Sequence, residues 1–196
     1  MTVVRRALRQ CIQLHILKWT STKVETYFSY PKDKSTANAI LIITDAIGHG
    51  SINVQLIADQ FAANGYLVVM PNLFHGDPAP LNAPADFNLM KWLQGHGRES
   101  VDPIVEAALK EIKKLGAKKI GGVGYCFGAK YVVRHLKMGE LDAGFTAHPS
   151  FVEPDELKAV QRPLSIAAAG MYMFPTSDVR FEAKLADTVG MINRNR

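Results

Sequence analysis

Ile120-Gly121-Gly122-Val123-Gly124-Tyr125-Cys126-Phe127-Gly128-Ala129-Lys130 passes from an apolar strand through Gly-x-Cys-x-Gly into a helix-forming segment. Such a stretch reads as a nucleophile elbow: a strand turns so sharply into a helix that the central residue takes a strained backbone and holds its side chain above the sheet. Strand and helix backbones nearly touch two positions either side of that residue, and Gly124 and Gly128 meet the demand for small side chains there. The following helix aims free N–H groups and its positive dipole end at the central side chain, which favours a thiolate and offers the Phe127 N–H to a developing oxyanion. Cys126 is the candidate nucleophile, with Tyr125 beside it as a pocket residue. Two blander readings remain at this point: a plain strand-to-helix turn with a small buried cysteine, and a phosphate-binding loop.

Outward from the elbow, residues 39–44 are a continuous apolar run, as expected of a strand buried on both faces of a parallel sheet. Residues 66–70 are another, ended by Pro71. Between them Val54, Leu56, Ile57, Phe61 and Ala62 recur at helical spacing over residues 53–64, and Gly65 caps the end. The aromatic and β-branched stretch 24–30 predicts a strand near an edge, stopped by Pro31. Residues 100–115 predict an amphipathic helix with Ile104, Val105, Ala108, Leu109 and Ile112 inward. Further strands are predicted over 119–123, 143–147 and 164–169, with helices over 129–138 and 153–160. Residues 71–97, rich in Pro, Gly, Asn and Asp around a short helix at 87–93, form the kind of long excursion that covers a site.

Strands alternating with helices argue a doubly wound, mostly parallel α/β sheet. Ligands of such sheets sit at the carboxyl ends of the strands, where Asp45, Asn72, Cys126 and His148 all emerge. That convergence favours the elbow.

With 196 residues, 47% of them hydrophobic, the chain supports one domain with a substantial core, placed at residues 24–196. Two cysteines, Cys11 and Cys126, cannot build a disulfide framework, and no paired metal-ligand spacing occurs, so a reducing compartment such as the cytoplasm and no metal are expected. No apolar run reaches membrane-spanning length. The net charge of +5 is spread over Lys-rich helix faces, which argues against a nucleic-acid partner. Residues 1–23 stand apart: Arg5, Arg6, Arg9, Lys18 and Lys23 occur with no acidic residue, and Val4, Leu8, Ile12, Ile16 and Trp19 share one helical face. A mitochondrial transit peptide, an amphipathic helix packed on the domain and a segment foreign to the fold all fit this pattern. Oligomeric state is not legible.

Thr44-Asp45-Ala46-Ile47-Gly48-His49, Met70-Pro71-Asn72-Leu73-Phe74-His75-Gly76-Asp77, Gly124-Tyr125-Cys126-Phe127-Gly128-Ala129-Lys130 and Ala147-His148-Pro149-Ser150-Phe151, in that order, resemble the dienelactone hydrolase family of α/β-hydrolases, particularly its fungal members. The resemblance covers about residues 24–169. It implies an α/β-hydrolase fold and cofactor-free hydrolysis of lactones or small carboxylic esters through a Cys-His-Asp triad. By the same resemblance Cys126 is the nucleophile, the backbone N–H groups of Ala46 and Phe127 form the oxyanion hole, and Asp45, His75 and His148 belong to the pocket. Asp45 could instead be only a turn former ahead of Gly48.

The resemblance also places a triad acid just after the strand at 164–169 and a triad His later still. Tyr172 stands at the acid's position, and no His follows His148. The implied fold thus lacks its last strand and helix, and the edge of 164–169 is left open or is covered by residues 178–193. A chain altered at its N-terminus and truncated at its C-terminus, from a misassembled reading frame or a degenerating paralogue, is the expectation. Among possible substitutes, His148 lines the pocket, Asp178 fits a helix cap, and His49 and His75 shape access. His15, His96 and His135 fit surface or packing roles.

A cysteine without its base relies on its own thiolate, about a few per cent at neutral pH. Low hydrolase activity is expected, the alternative being a non-catalytic relative that binds a small ligand or protein partner. A flavodoxin-like nucleotide site is disfavoured, because no Lys follows at the phosphate-loop position and the dinucleotide glycine spacing is not met.

Overall fold

The two continuous apolar runs lie side by side at the centre of a sheet, where both of their faces are covered. β3 (Asn38–Ile43) and β4 (Leu67–Pro71) pair in parallel with Leu41 opposite Val69, and Leu41, Ile42, Ile43, Leu67, Val68, Val69 and Met70 are fully buried. The structure is a computed structural model that describes residues 12–19 and 22–168. β1 (Ile12–Trp19) and β2 (Thr22–Ser29) extend the sheet on one side, and β5 (Lys119–Tyr125), β6 (Ala143–Ala147) and β7 (Leu164–Ala167) extend it on the other. The seven strands run in the order β1-β2-β4-β3-β5-β6-β7. β1 and β2 join by antiparallel pairing, and every pair from β4 to β7 is parallel.

Helices α1 (Ile52–Ala63), α2 (Leu89–Gly95), α3 (Arg98–Lys114), α4 (Phe127–Arg134) and α5 (Pro154–Lys158) make the connections. From β3 the chain steps through α1 to β4, then returns past β3 through α2 and α3 to β5. The winding therefore reverses between β3 and β5, the switch point at which open α/β sheets bind ligands. The carboxyl ends facing that point carry Asp45 and Cys126.

Each face of the sheet has its own core. On one, Val54, Ala58 and Ala62 of α1 pack on Tyr27, Ile42, Val68, Met70 and Val123. On the other, Val101, Val105, Ala108 and Ile112 of α3 meet Leu41, Ile43, Leu67 and Val69 together with Tyr131 and Val132 of α4. Among the described residues, one buried carboxylate enters the α1 face. Asp59 is buried, and its Oδ1 accepts the hydroxyls of Tyr27 (2.9 Å) and Ser29 (2.8 Å). Burial, and then the hydrogen bond to Asp59, push the Tyr27 hydroxyl well above its ordinary pKa. Asp59→Ala is expected to strand both hydroxyls and to destabilise the fold by about 1–3 kcal/mol, whereas Asp59→Asn, which keeps an acceptor, loses less. Urea denaturation of the two variants checks this.

The N-terminal segment differs from its sequence pattern. Ile12, Ile16 and Trp19 share a helical face on paper, yet Ile12–Trp19 is strand β1, paired with β2 from Ile12 opposite Ser29 to Trp19 opposite Thr22. The reading of these residues as a packed amphipathic helix is overturned. Without β1, β2 would present a row of unpaired N–H and C=O groups, and a run containing Ile, Leu and Trp satisfies that ladder better than it forms an isolated helix. β2 accordingly lies one strand in from the edge, and residues 12–19 belong to the same sheet as the rest. Cys11, Tyr172, Asp178 and whatever lies beyond β7 fall outside the described residues.

Candidate active site

Cys126 sits between β5 and α4 at φ 49° and ψ −110°. Side-chain-bearing residues rarely adopt such a backbone, which costs about 1–3 kcal/mol and persists only where the surroundings enforce it. Here they do so from both sides. The Cys126 N–H donates to the Ala147 carbonyl at 3.0 Å, and its carbonyl accepts the N–H groups of Ser150 (3.1 Å) and Ala129 (3.2 Å). A Cβ on Gly128 would lie 2.0 Å from the Ile43 carbonyl oxygen and 2.5 Å from that of Thr44, and one on Gly124 would lie 2.8 Å from the Ala129 Cα. Glycine at both positions lets α4 start in contact with the ends of β3 and β5. A relaxed strand-to-helix turn has no need of this conformation.

Cys126 is a half-buried free thiol, and its Sγ lies 3.4 Å from Ser150 Oγ. Ser150 belongs to the loop after β6, whose flanking residues His148 and Phe151 have φ of 39° and 59°. One turn along α4, the half-buried Lys130 holds that loop. Its Nζ donates to the Phe151 carbonyl at 2.7 Å and pairs with Glu156 Oε2 at 3.1 Å and Glu153 Oε1 at 3.3 Å.

The remaining predicted residues are distributed as follows. Asp45 turns its carboxylate onto its own loop, where Oδ1 accepts the Ile47 N–H at 3.0 Å and its carbonyl accepts the Gly48 N–H at 3.2 Å. It therefore acts as a turn former, with no hydrogen bond to the thiol. The Ala46 carbonyl is fixed by the Ala79 N–H at 2.8 Å, which ties the β3 loop to the long excursion after β4. His75 and His148 are exposed, each at positive φ. Tyr125 faces α1 and lines a groove of about 650 Å³ with Leu56, Ile57, Phe61 and Tyr66, a groove to which Cys126 does not contribute. His49 stands 3.7 Å from Glu25, and burial lowers its pKa against the opposing pull of that carboxylate. His135 contacts Glu140 at 2.8 Å. No histidine is hydrogen-bonded to Cys126 among the described residues.

Phe127, the residue after the nucleophile, is buried in a ring cluster with Phe74 (5.3 Å between centroids), Tyr131 (5.2 Å) and Trp92 (6.0 Å). Trp92 in turn stacks on His96 at 4.2 Å and donates its indole N–H to the Asp77 carbonyl at 2.9 Å. The excursion after β4 is thereby pinned to the first turn of α4. His96 serves as a packing ring, as its sequence context suggests. Ser150 and Lys130 were both inside quoted motifs yet carried no assigned role. The four-residue step from Cys126 to Lys130 on one helix face was the available signal for the second.

The family model described as Dienelactone hydrolase family matches residues 24–188. The chain belongs to the dienelactone hydrolase family. Its relatives in this family include a hydrolase named pyvD from Aspergillus violaceofuscus, 58% identical over 154 residues that cover 78% of this chain and 63% of the relative. A hydrolase named tropI from Talaromyces stipitatus is 51% identical over 85% of this chain and 70% of its own length. A carboxymethylenebutenolidase homolog of Homo sapiens is 31% identical over 72% of this chain and 59% of its own. The chain thus spans roughly three-fifths to seven-tenths of the length of these proteins. Among solved structures, a dienelactone hydrolase-like promiscuous phosphotriesterase from metagenomic libraries matches with a TM-score of 0.68 at 18% identity, over 91% of this chain and 76% of that one. Pyrococcus furiosus esterase Pf2001 matches with a TM-score of 0.55 at 14% identity, over 82% and 72% of the two chains. These likenesses establish the α/β-hydrolase fold, and the family is one of hydrolases.

Proposed function

We propose that this member of the dienelactone hydrolase family cleaves lactones or small carboxylic esters with Cys126 as nucleophile, in a reducing compartment and without a cofactor. The observation that carries the reading is the strained backbone of Cys126 at the start of α4, locked in place by Gly128 against β3. In the reaction the thiolate attacks the carbonyl carbon, a C–S bond forms, and the carbonyl electron pair moves onto oxygen. The Phe127 N–H, in the first turn of α4 where no intrahelical acceptor exists, is one donor for that oxygen. In this reading the Ala46 N–H, in the loop that follows β3, is the second donor. Collapse of the intermediate breaks the ester C–O bond; the leaving oxygen takes a proton from solvent, departs as the alcohol or, in a lactone, stays tethered to the acyl group, and leaves a thioester that water must cleave.

That second step needs a base. With no histidine hydrogen-bonded to the thiol among the described residues, the thioester is expected to accumulate. Mixing the protein with p-nitrophenyl acetate should give a burst of about one equivalent of p-nitrophenolate and then slow turnover, with the acetyl group found on the Cys126 peptide by mass spectrometry. An acetyl group located elsewhere, or turnover that persists at full rate once Cys126 is alkylated, would overturn the proposal. The same lack of a bonded base favours a second reading, a relative that binds a small ligand without turning it over. It predicts thermal stabilisation by a lactone with neither burst nor acylated Cys126.

A further inference from the structure

We propose that Ser150 is a second catalytic residue of this site, whose hydroxyl donates a hydrogen bond to the Cys126 thiolate; the proposal rests on Cys126 being the nucleophile. Ser150 Oγ is the hydrogen-bond partner of Sγ among the described residues, at 3.4 Å, within the range of a bond to sulfur. A serine hydroxyl rotates freely, so it accepts from the resting S–H and donates once the sulfur is charged. On ionisation the S–H bond breaks, the proton leaves to solvent and the electron pair stays on Sγ. The Ser150 O–H then turns onto it. A hydrogen bond to an ionised acceptor is about twice as strong as one between neutral groups, so the contact is strongest to the charged sulfur that attacks.

The surrounding chain is built to hold this contact. Ser150 and Cys126 are linked twice, through their side chains and through the Ser150 N–H to the Cys126 carbonyl at 3.1 Å. The loop that carries Ser150 starts with the Ala147 carbonyl bonded to the Cys126 N–H, is tied to β7 by the His148 N–H to Ala167 carbonyl bond at 2.8 Å, and ends with the Phe151 carbonyl on Lys130 Nζ at 2.7 Å. Among the described residues, three of the five non-glycine residues at positive φ, Cys126, His148 and Phe151, lie in the elbow and in this loop. Strain at Cys126 and at residues on both sides of Ser150 marks a geometry the fold enforces. Lys130 bonds the Phe151 carbonyl next to Ser150 and makes no hydrogen bond to the sulfur.

The test reads thiolate directly. The rate of Cys126 alkylation by iodoacetamide is followed against pH in the full chain, with the modified peptide identified by mass spectrometry so that Cys11 does not contribute. Ser150→Ala and Ser150→Gly are expected to lower the alkylation rate about tenfold across neutral pH, while Ser150→Thr, which keeps the hydroxyl, stays near the parent. Circular dichroism and melting temperature confirm that each variant is folded, and the two hydroxyl-free variants have independent chances of being so. Parent-like rates in the hydroxyl-free variants, or a lowered rate in the Thr variant alone, would overturn the role of Ser150. The outcomes for the two readings are separable. A rate that falls as expected in a protein never acylated at Cys126 removes the hydrolase reading and leaves the contact, whereas an intact burst with unchanged rates removes the contact and leaves the hydrolase.

Discussion

Gly128→Ala should destabilise the protein by about 3 kcal/mol, a fall of roughly 6–12 °C in melting temperature for a chain of this size. The added methyl carbon would sit 2.0 Å from the Ile43 carbonyl oxygen, 2.4 Å from its carbon and 2.5 Å from the Thr44 carbonyl oxygen. All three are backbone atoms at the end of a central strand, so no rotamer change relieves the contact. Either α4 lifts away from β3 or the end of β3 moves. Both responses pull the Phe127 N–H away from the loop that carries Ala46, so the acyl burst should fall even at temperatures where the variant is folded. Gly95→Ala is the control, because a Cβ there meets nothing within 4 Å, and its effect should stay within about 0.5 kcal/mol. Urea denaturation curves of the two variants decide the matter. Equal midpoints would mean that strand and helix are not in contact at Gly128.

The second large effect is expected at Arg134, near the other end of the same helix. Its Nε donates to Asp102 Oδ1 of α3 at 3.2 Å, its Nη1 donates to Glu156 Oε1 of α5 at 2.9 Å, and Nη2 pairs with Asp102 Oδ2. Arg134 thereby joins three helices that pack on one face of the sheet. Glu156 is 8% exposed at its side chain, and Asp102 and Arg134 are about one-fifth exposed, so the pairs are only partly screened by water. Arg134→Ala leaves those carboxylates short of a partner and should destabilise the fold by about 3 kcal/mol, the low end of the range for breaking a buried pair.

The pH dependence separates loss of charge from loss of packing. Burial opposes ionisation of Asp102, but the His135 ring 3.5 Å away and the hydrogen bonds and charge of Arg134 outweigh it and hold the pKa at about 2, below the ordinary 3.8. A depressed carboxylate contributes its stability fully above the ordinary value and loses it as the pH falls towards about 2. In Arg134→Ala the Asp102 pKa should move back up, so the loss of stability across that window should be smaller than in the parent. Denaturation midpoints measured across the window check this. An unchanged slope would show that Asp102 does not draw its ionisation from Arg134.

Elements whose partners lie within a few residues were readable in advance. The inward face of α3, with Ile104, Val105, Ala108, Leu109 and Ile112, follows from helical spacing, and all five are buried. β3 and β4 follow from uninterrupted apolar runs that only a two-sided environment tolerates. The ends of α4 and α5 depart from the helical spacing, which runs over 129–138 and 153–160. α4 starts at Phe127, because the elbow completes its turn in a single strained residue, and stops at Arg134. Propensity over residues 129–138 carries no record of either event.

What the amino-acid order settled about the elbow is its steric logic. Gly-x-Cys-x-Gly after an apolar strand demands a sharp turn with a thiol at its apex, because the crowding that excludes larger residues arises between near neighbours along the chain and across one adjacent strand. The contacts of that thiol were settled by folding alone. Ser150 is 24 residues away and reaches Sγ only because parallel pairing of β5 with β6 brings the ends of both strands together. Asp45 had two available roles, and only the path of its loop turns the carboxylate onto the Ile47 N–H. Tyr125 adjoins the nucleophile in sequence, but the alternation of side chains along β5 sends it to the opposite face, against α1. Ile12–Trp19 became a strand because β2 offered an unpaired edge, a fact about a neighbour that no periodicity within those eight residues records.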